Sequence, residues 1–153
     1  MTVVFVVGAA AAVSALREAR SRRDAARQAA VHLNRGVALY ERKDHVHAES
    51  ELRRALRADP GEWRAPYYVG VIQIERRRFG LAIPYLERAL SLNAEEPKIL
   101  NALGVAYFKL DRLDMARGYF QASLDMDPNN SEARSLMEAM AKLQHRATQT
   151  VEH

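Results

Sequence analysis

Small and apolar residues recur along this chain at a step of 34. Gly36, Gly70 and Gly104 share one column, and Ala48, Ala82 and Ala116 share another. Leu52, Leu86 and Phe120 keep the same step, as do Ala55, Ala89 and Ser123, and Leu56, Leu90 and Leu124. Pro60 pairs with Pro128 across two steps. Columns that hold one period over three copies mark an internal repeat. The copies are 29–62, 63–96 and 97–130. Each contains two apolar-periodic stretches split by a polar break, RKDH (42–45), RRRF (76–79) or LDRL (110–113). The helical period and the length of the stretches predict helices rather than strands. Each copy is therefore expected to fold as an αα-hairpin.

The small residues have a physical role in that scheme. A glycine inside a helix costs about 1 kcal/mol against alanine. Gly36, Gly70 and Gly104 are tolerable if a neighbouring helix approaches closely there, and the alanine column does the same for the second helix. The DP pairs at 59–60 and 127–128 end the second helices, because proline disfavours the helical region in the residue before it.

These columns resemble the tetratricopeptide repeat (TPR). The motif reads G-V-A-L-Y … A-E-S-E-L-R-R-A-L-R-A-D-P in the first copy and G-V-I-Q-I … A-I-P-Y-L-E-R-A-L-S-L-N-A in the second. The third, L-G-V-A-Y-F … A-R-G-Y-F-Q-A-S-L-D-M-D-P, is nearest to the family pattern. His32, Pro66 and Leu100 stand where the family often has tryptophan, and Ala94 replaces a closing proline. Pro66 and Pro84 are expected in the first turn or so of their helices, where a missing N–H matters least. The resemblance implies an all-α fold: a right-handed superhelical array of three TPR hairpins. A capping helix over 131–146 follows, with Leu136, Met137, Met140 and Leu143 as its apolar stripe and Asn130 or Ser131 as its N-cap. Such a helix covers the last open face of an array. Residues 147–153 show no apolar period and are expected to be a flexible tail.

Charge changes the picture at the N-terminus. Residues 1–16, MTVVFVVGAAAAVSAL, carry no charged side chain. As a helix they would span ~24 Å, against a hydrocarbon core of ~30 Å and about 18 residues for a clear membrane span. Residues 17–28 then hold Arg17, Arg20, Arg22, Arg23 and Arg27 against Glu18 and Asp24, which is three of the four net positive charges. A secretion signal carries its positive charge before the apolar run, not after it. Basic residues mark the cytoplasmic side of a span. The expectation is an N-terminal apolar helix that anchors the chain in the inner membrane as a single pass, a basic juxtamembrane helix over 17–28 with Arg17, Arg20, Arg22 and Arg23 at the lipid surface, and repeats in the cytoplasm. This arrangement is similar to that of bacterial membrane-tethered TPR proteins. An exported, periplasmic assembly or chaperone-like factor is the alternative, and a soluble core helix is the third reading.

Catalytic chemistry is not visible. Cysteine is absent, which removes disulfides, thiolate catalysis and cysteine-based metal sites. There is no phosphate-cradling glycine loop and no G-x-S-x-G. His45 and His47 form an HVH pair, but residues two apart on a helix point away from each other. No cofactor or metal is expected. The Arg76–Arg78 run falls in an inter-helix break and reads as a solvated loop rather than a nucleic-acid contact.

The resemblance places a groove on the first helix of each hairpin. The positions carried over are Leu33, Val37 and Tyr40; Arg64, Tyr67, Val71 and Ile74; and Lys98, Asn101, Val105 and Phe108, with Ala30, Glu41, Glu75 and Lys109 at the edges. The helical period puts 33, 37 and 40 on one face, likewise 67, 71 and 74, and 101, 105 and 108. Co-chaperones that clamp an acidic C-terminus use lysines and asparagines at such places. Only Lys98 matches here, and Leu33 and Val37 replace polar members of the clamp. An apolar groove implies a helix or extended peptide of another protein as its ligand. Self-association that covers the groove is the competing reading. The expected function is a non-enzymatic scaffold or adaptor that binds protein and not nucleic acid.

Overall fold

The computed structural model describes residues 3–151, with side chains described for 11–143. The described residues form seven helices and no strand: α1 (Val3–Glu41), α2 (His45–Ala58), α3 (Arg64–Glu75), α4 (Phe79–Leu92), α5 (Pro97–Lys109), α6 (Leu113–Met126) and α7 (Ser131–Val151). They fall into two compact units, Met1–Glu62 and Trp63–His153.

In the first unit α1 and α2 pair as an antiparallel hairpin. Ala29, Leu33 and Gly36 of α1 are buried, as are Ala48, Leu52 and Ala55 of α2. The second unit stacks α3 through α7 so that each helix packs on the next. Its core joins Leu86 and Ala89 of α4, Ile99, Leu103 and Tyr107 of α5, Phe120 of α6 and Met140 of α7. Four of the five repeat columns are thus buried, and the fifth, Leu56, Leu90 and Leu124, is half-buried.

The glycine column sits where the sequence argument requires close approach. A Cβ on Gly36 would lie 2.6 Å from Leu52, one on Gly70 2.6 Å from Leu86, and one on Gly104 2.5 Å from the Phe120 ring. Two columns sixteen residues apart therefore interlock within each hairpin. The three inter-helix turns are also one structure repeated. Lys43, Arg77 and Asp111 have φ of 63°, 59° and 60°. At each, the left-handed residue donates three residues back and its successor five back, as in Lys43 N–H to Tyr40 O at 2.8 Å and Asp44 N–H to Leu39 O at 3.0 Å. This cap satisfies carbonyls left over at a helix end. The second helices close alike: Asp59, Asn93 and Asp127 are extended, and each side chain accepts from the N–H two residues on. Asn93 manages this without a proline after it, so Ala94 leaves the closure intact.

Three expectations change. The segments 1–16 and 17–28 and the first repeat helix are not separate: α1 runs unbroken from Val3 to Glu41. Between Gly8 and Gly36 the chain has no glycine or proline, and Ala, Arg, Leu, Glu and Gln favour helix. At the other end, α7 continues to Val151 instead of giving way to a tail at 147, again with no breaker. Glu152 and His153 lie outside the described residues. Pro84 is the sixth residue of α4, a turn deeper than expected. It removes the N–H that would bond the Gly80 carbonyl. Among the described residues no helix is long and apolar enough to cross a membrane. Met1 and Thr2 of the expected span lie outside the described residues, and the side chains of 3–10 are not described.

Asn130 is the cap of α7: its Oδ1 accepts the Ala133 N–H at 3.1 Å. Its Nδ2 donates to Ser123 Oγ at 3.0 Å, and Ser123 Oγ donates to the Pro97 carbonyl at 3.1 Å. Three helices are tied at that point.

Candidate functional site

The first helices of the hairpins present one register of residues, and each unit carries its own share. In the first unit Leu33 is 2% exposed and belongs to the hairpin core, so it has no surface to offer a partner. Val37 and Tyr40 are half-buried. The Tyr40 ring stacks on His45 at 5.9 Å, and the Lys43 ammonium lies 5.4 Å from the Tyr40 centroid. His47 Nδ1 meets Asp44 at 2.8 Å, so the two histidines of the HVH pair are engaged on different neighbours.

The second unit holds the larger share, on α3 and α5. Arg64 and Lys98 are exposed at the N-terminal ends of the two helices. Tyr67, Val71 and Ile74 follow along α3, and Val105 and Phe108 along α5, all half-buried. Lys109 covers one side of the Phe108 ring at 5.6 Å. The half-buried state is what a ligand-facing apolar row requires: anchored below and open above. Asn101 departs from that row. It is 8% exposed, its Nδ2 donates to Glu132 Oε2 at 2.7 Å, and its buried Oδ1 has no hydrogen-bond partner.

Burial pushes the Tyr67 hydroxyl up to about 12, with Tyr68 and the carboxylates Glu96 and Glu132 adding to the rise. Tyr67 therefore stays a neutral phenol across the physiological range. Its ring meets Trp63 at 6.0 Å and Tyr68 edge-on at 5.2 Å.

Sequence reasoning missed Trp63, Glu96 and Glu132. Trp63 is one turn before Tyr67, at helical spacing, which was a usable signal. Glu132 lies 34 residues after Lys98, so it continues the column Ala30, Arg64, Lys98 into α7.

Repeated hairpins with the same glycine seat, the same left-handed turn and the same closure define an α-solenoid protein built from two-helix repeats. The chain belongs to the tetratricopeptide repeat family, whose sequence profile matches residues 8–63 and 70–131. A BBSome complex member, BBS4, of Xenopus tropicalis is 31% identical over 94 residues, covering 61% of this chain. The chain spans only 18% of that relative's length. Among solved structures, the first TPR of Spaghetti (RPAP3), bound to the HSP90 peptide SRMEEVD, matches with a TM-score of 0.76 at 22% identity, over 78% of this chain and 95% of that one. The second TPR domain of human RPAP3, in complex with the HSP70 peptide SGPTIEEVD, matches with a TM-score of 0.70 at 18% identity, over 78% of this chain and 98% of that one. At these identities the likeness is one of fold.

Proposed function

We propose that the chain is a non-enzymatic adaptor. It holds a helix or extended segment of another protein against the face of α3 and α5. The observation that carries this reading is the row of half-buried apolar side chains Tyr67, Val71, Ile74, Val105 and Phe108, edged by Arg64 and Lys98. Core residues of the same helices are shut away, whereas Tyr67, Ile74, Val105 and Phe108 pack on that core and keep part of their apolar surface exposed. Peptide binding by the two solved neighbours supports a protein ligand for this fold. The test is a pull-down with the full chain and with Tyr67→Glu combined with Val71→Glu. An unchanged set of captured proteins would rule out this face.

A second reading concerns location. We propose that the apolar start holds the repeats at the cytoplasmic face of a membrane. Two things support it: the net positive charge directly after residue 16, and the exposure of every α1 side chain from 11 to 24. Val13 and Leu16 are 46% and 70% exposed, and among the described side chains of α1, which begin at residue 11, Ala29 is the first that is buried. Fusing residues 1–30 to a topology reporter tests it. Periplasmic reporter activity would favour export instead.

A further inference from the structure

The N-terminal ends of α3, α5 and α7 bring Trp63, Tyr67, Glu96, Asn101 and Glu132 into one neighbourhood of the second unit. Asn101 is more than nine-tenths buried, and its amide head is turned toward Glu132 by the 2.7 Å bond from Nδ2. The other half of that head, Oδ1, is buried without a donor. A buried carbonyl oxygen in that state is an unmet demand for an N–H. Two carboxylates stand beside it. Glu96 caps α5, with its Oε1 3.5 Å from the Lys98 N–H, and Glu132 is exposed at the start of α7. Both stand near enough to Tyr67 to act on its hydroxyl. The Trp63 and Tyr67 rings, 6.0 Å apart and tilted by 58°, supply aromatic surface at the same place.

Aromatic faces attract cations, carboxylates neutralise them, and an amide oxygen accepts their N–H groups. One chemical group meets all three demands. We infer that this end of the face is a receptor for an arginine or lysine side chain carried by the bound segment, whose apolar residues then lie along Val71, Ile74, Val105 and Phe108. The inference rests on the adaptor reading above and names the chemistry of its ligand. Arginine fits better than lysine, because its planar fork can reach a carboxylate and an amide oxygen while its flat face lies on a ring. The cations of the same face, Arg64 and Lys98, are exposed. An acidic segment would have to use them, and would bring its own carboxylates against Glu96 and Glu132.

The test selects a displayed library of random linear peptides on the full-length chain and resynthesises the enriched sequences. Binding is then measured by fluorescence anisotropy with wild type, Glu132→Gln, Glu96→Gln and Val71→Glu. Glutamine at 132 can still accept from Asn101, and Glu96→Gln provides a second neutralised carboxylate should the first variant lose its fold. The expected peptides carry arginine or lysine among apolar residues. Replacing that base by glutamine weakens binding to wild type by about tenfold or more, but to the neutralised variants by only about threefold or less. Peptides rich in Asp and Glu would overturn the cation receptor. So would an equal loss from the Arg→Gln peptide in wild type and in both neutralised proteins. In either case binding abolished by Val71→Glu leaves the adaptor face standing. Peptide binding indifferent to Val71→Glu overturns the adaptor face itself.

Discussion

Gly104→Ala tests the interlock of the repeat columns. Alanine in place of glycine inside a helix gains about 1 kcal/mol of propensity. At Gly104 the new methyl carbon would stand 2.5, 2.6 and 2.9 Å from three atoms of the Phe120 ring. Ordinary contact begins near 3.4 Å, so ring or helix must move by roughly an ångström. Phe120 is 0% exposed and has no free space to take up the shift. Overpacking a filled core costs about 1–3 kcal/mol. The net effect is a loss of about 0–2 kcal/mol. Gly118, in the middle of α6, is the control, since a Cβ there meets nothing within 4 Å. Gly118→Ala should stabilise by up to about 1 kcal/mol. The two variants should therefore differ by about 1–3 kcal/mol, or roughly 2–12 °C in midpoint. Thermal and urea unfolding followed by circular dichroism and by Trp63 fluorescence reads this directly, because Trp63 is the single tryptophan and lies in the same unit. Adding Phe120→Leu should recover part of the Gly104→Ala loss, giving a favourable coupling term. Equal midpoints for Gly104→Ala and Gly118→Ala would refute the close-approach argument.

The remaining predictions concern turns, buried polar groups and charge. Arg77 holds a left-handed φ of 59° at the α3–α4 turn; Arg77→Gly should stabilise by about 0.5–1 kcal/mol in urea unfolding, and a loss would contradict the strain. Ser123 is 0% exposed and links Pro97 to Asn130; Ser123→Ala should cost about 1–2 kcal/mol, and a neutral result would mean the tie between α5, α6 and α7 is not used. Gln73 is 3% exposed with Oε1 unpartnered; Gln73→Met should stabilise by about 1 kcal/mol, as read by the same unfolding midpoints. The hydrogen bond from His32 at 2.8 Å, aided by Arg54 and Arg35, holds the Glu51 carboxyl below its usual 4.5. A lowered carboxyl contributes stability that is complete above the usual value and is lost as pH falls through the lowered one. Glu51→Gln should therefore flatten the decline in midpoint below about pH 5, whereas parallel acid limbs would remove Glu51 from the account.

What was legible in the sequence follows from what a repeat period can carry. Residues that must be small or large at every copy show up as columns, and the glycine, alanine and leucine columns are the packed surface. The contact between Gly104 and Phe120 was not itself visible, because a column gives conservation of size within the chain and no partner. The left-handed turns were hidden because Lys43, Arg77 and Asp111 share a conformation but not a residue type. The Asn101–Glu132 bond was missed for another reason. It joins a groove position to a helix taken only as a cap, at a separation of 31 that no period predicts. At the N-terminus the change in composition at residue 16 suggested a boundary. Backbone hydrogen bonding follows propensity rather than polarity, and the helix passes straight through.

The unbroken α1 turns residue count into angle. Each residue of an α-helix advances about 1.5 Å and rotates about 100°. Whatever the start of α1 touches is therefore geared to the first hairpin, with Leu33 and Gly36 as the fixed teeth. Inserting one residue within 17–28 would turn the hairpin by about 100° relative to that contact, while seven would restore the facing to within about 20° and add only about 10 Å. Function plotted against insertion length should then oscillate with the helical period, as a ratchet does, instead of relaxing smoothly as it would across a flexible linker.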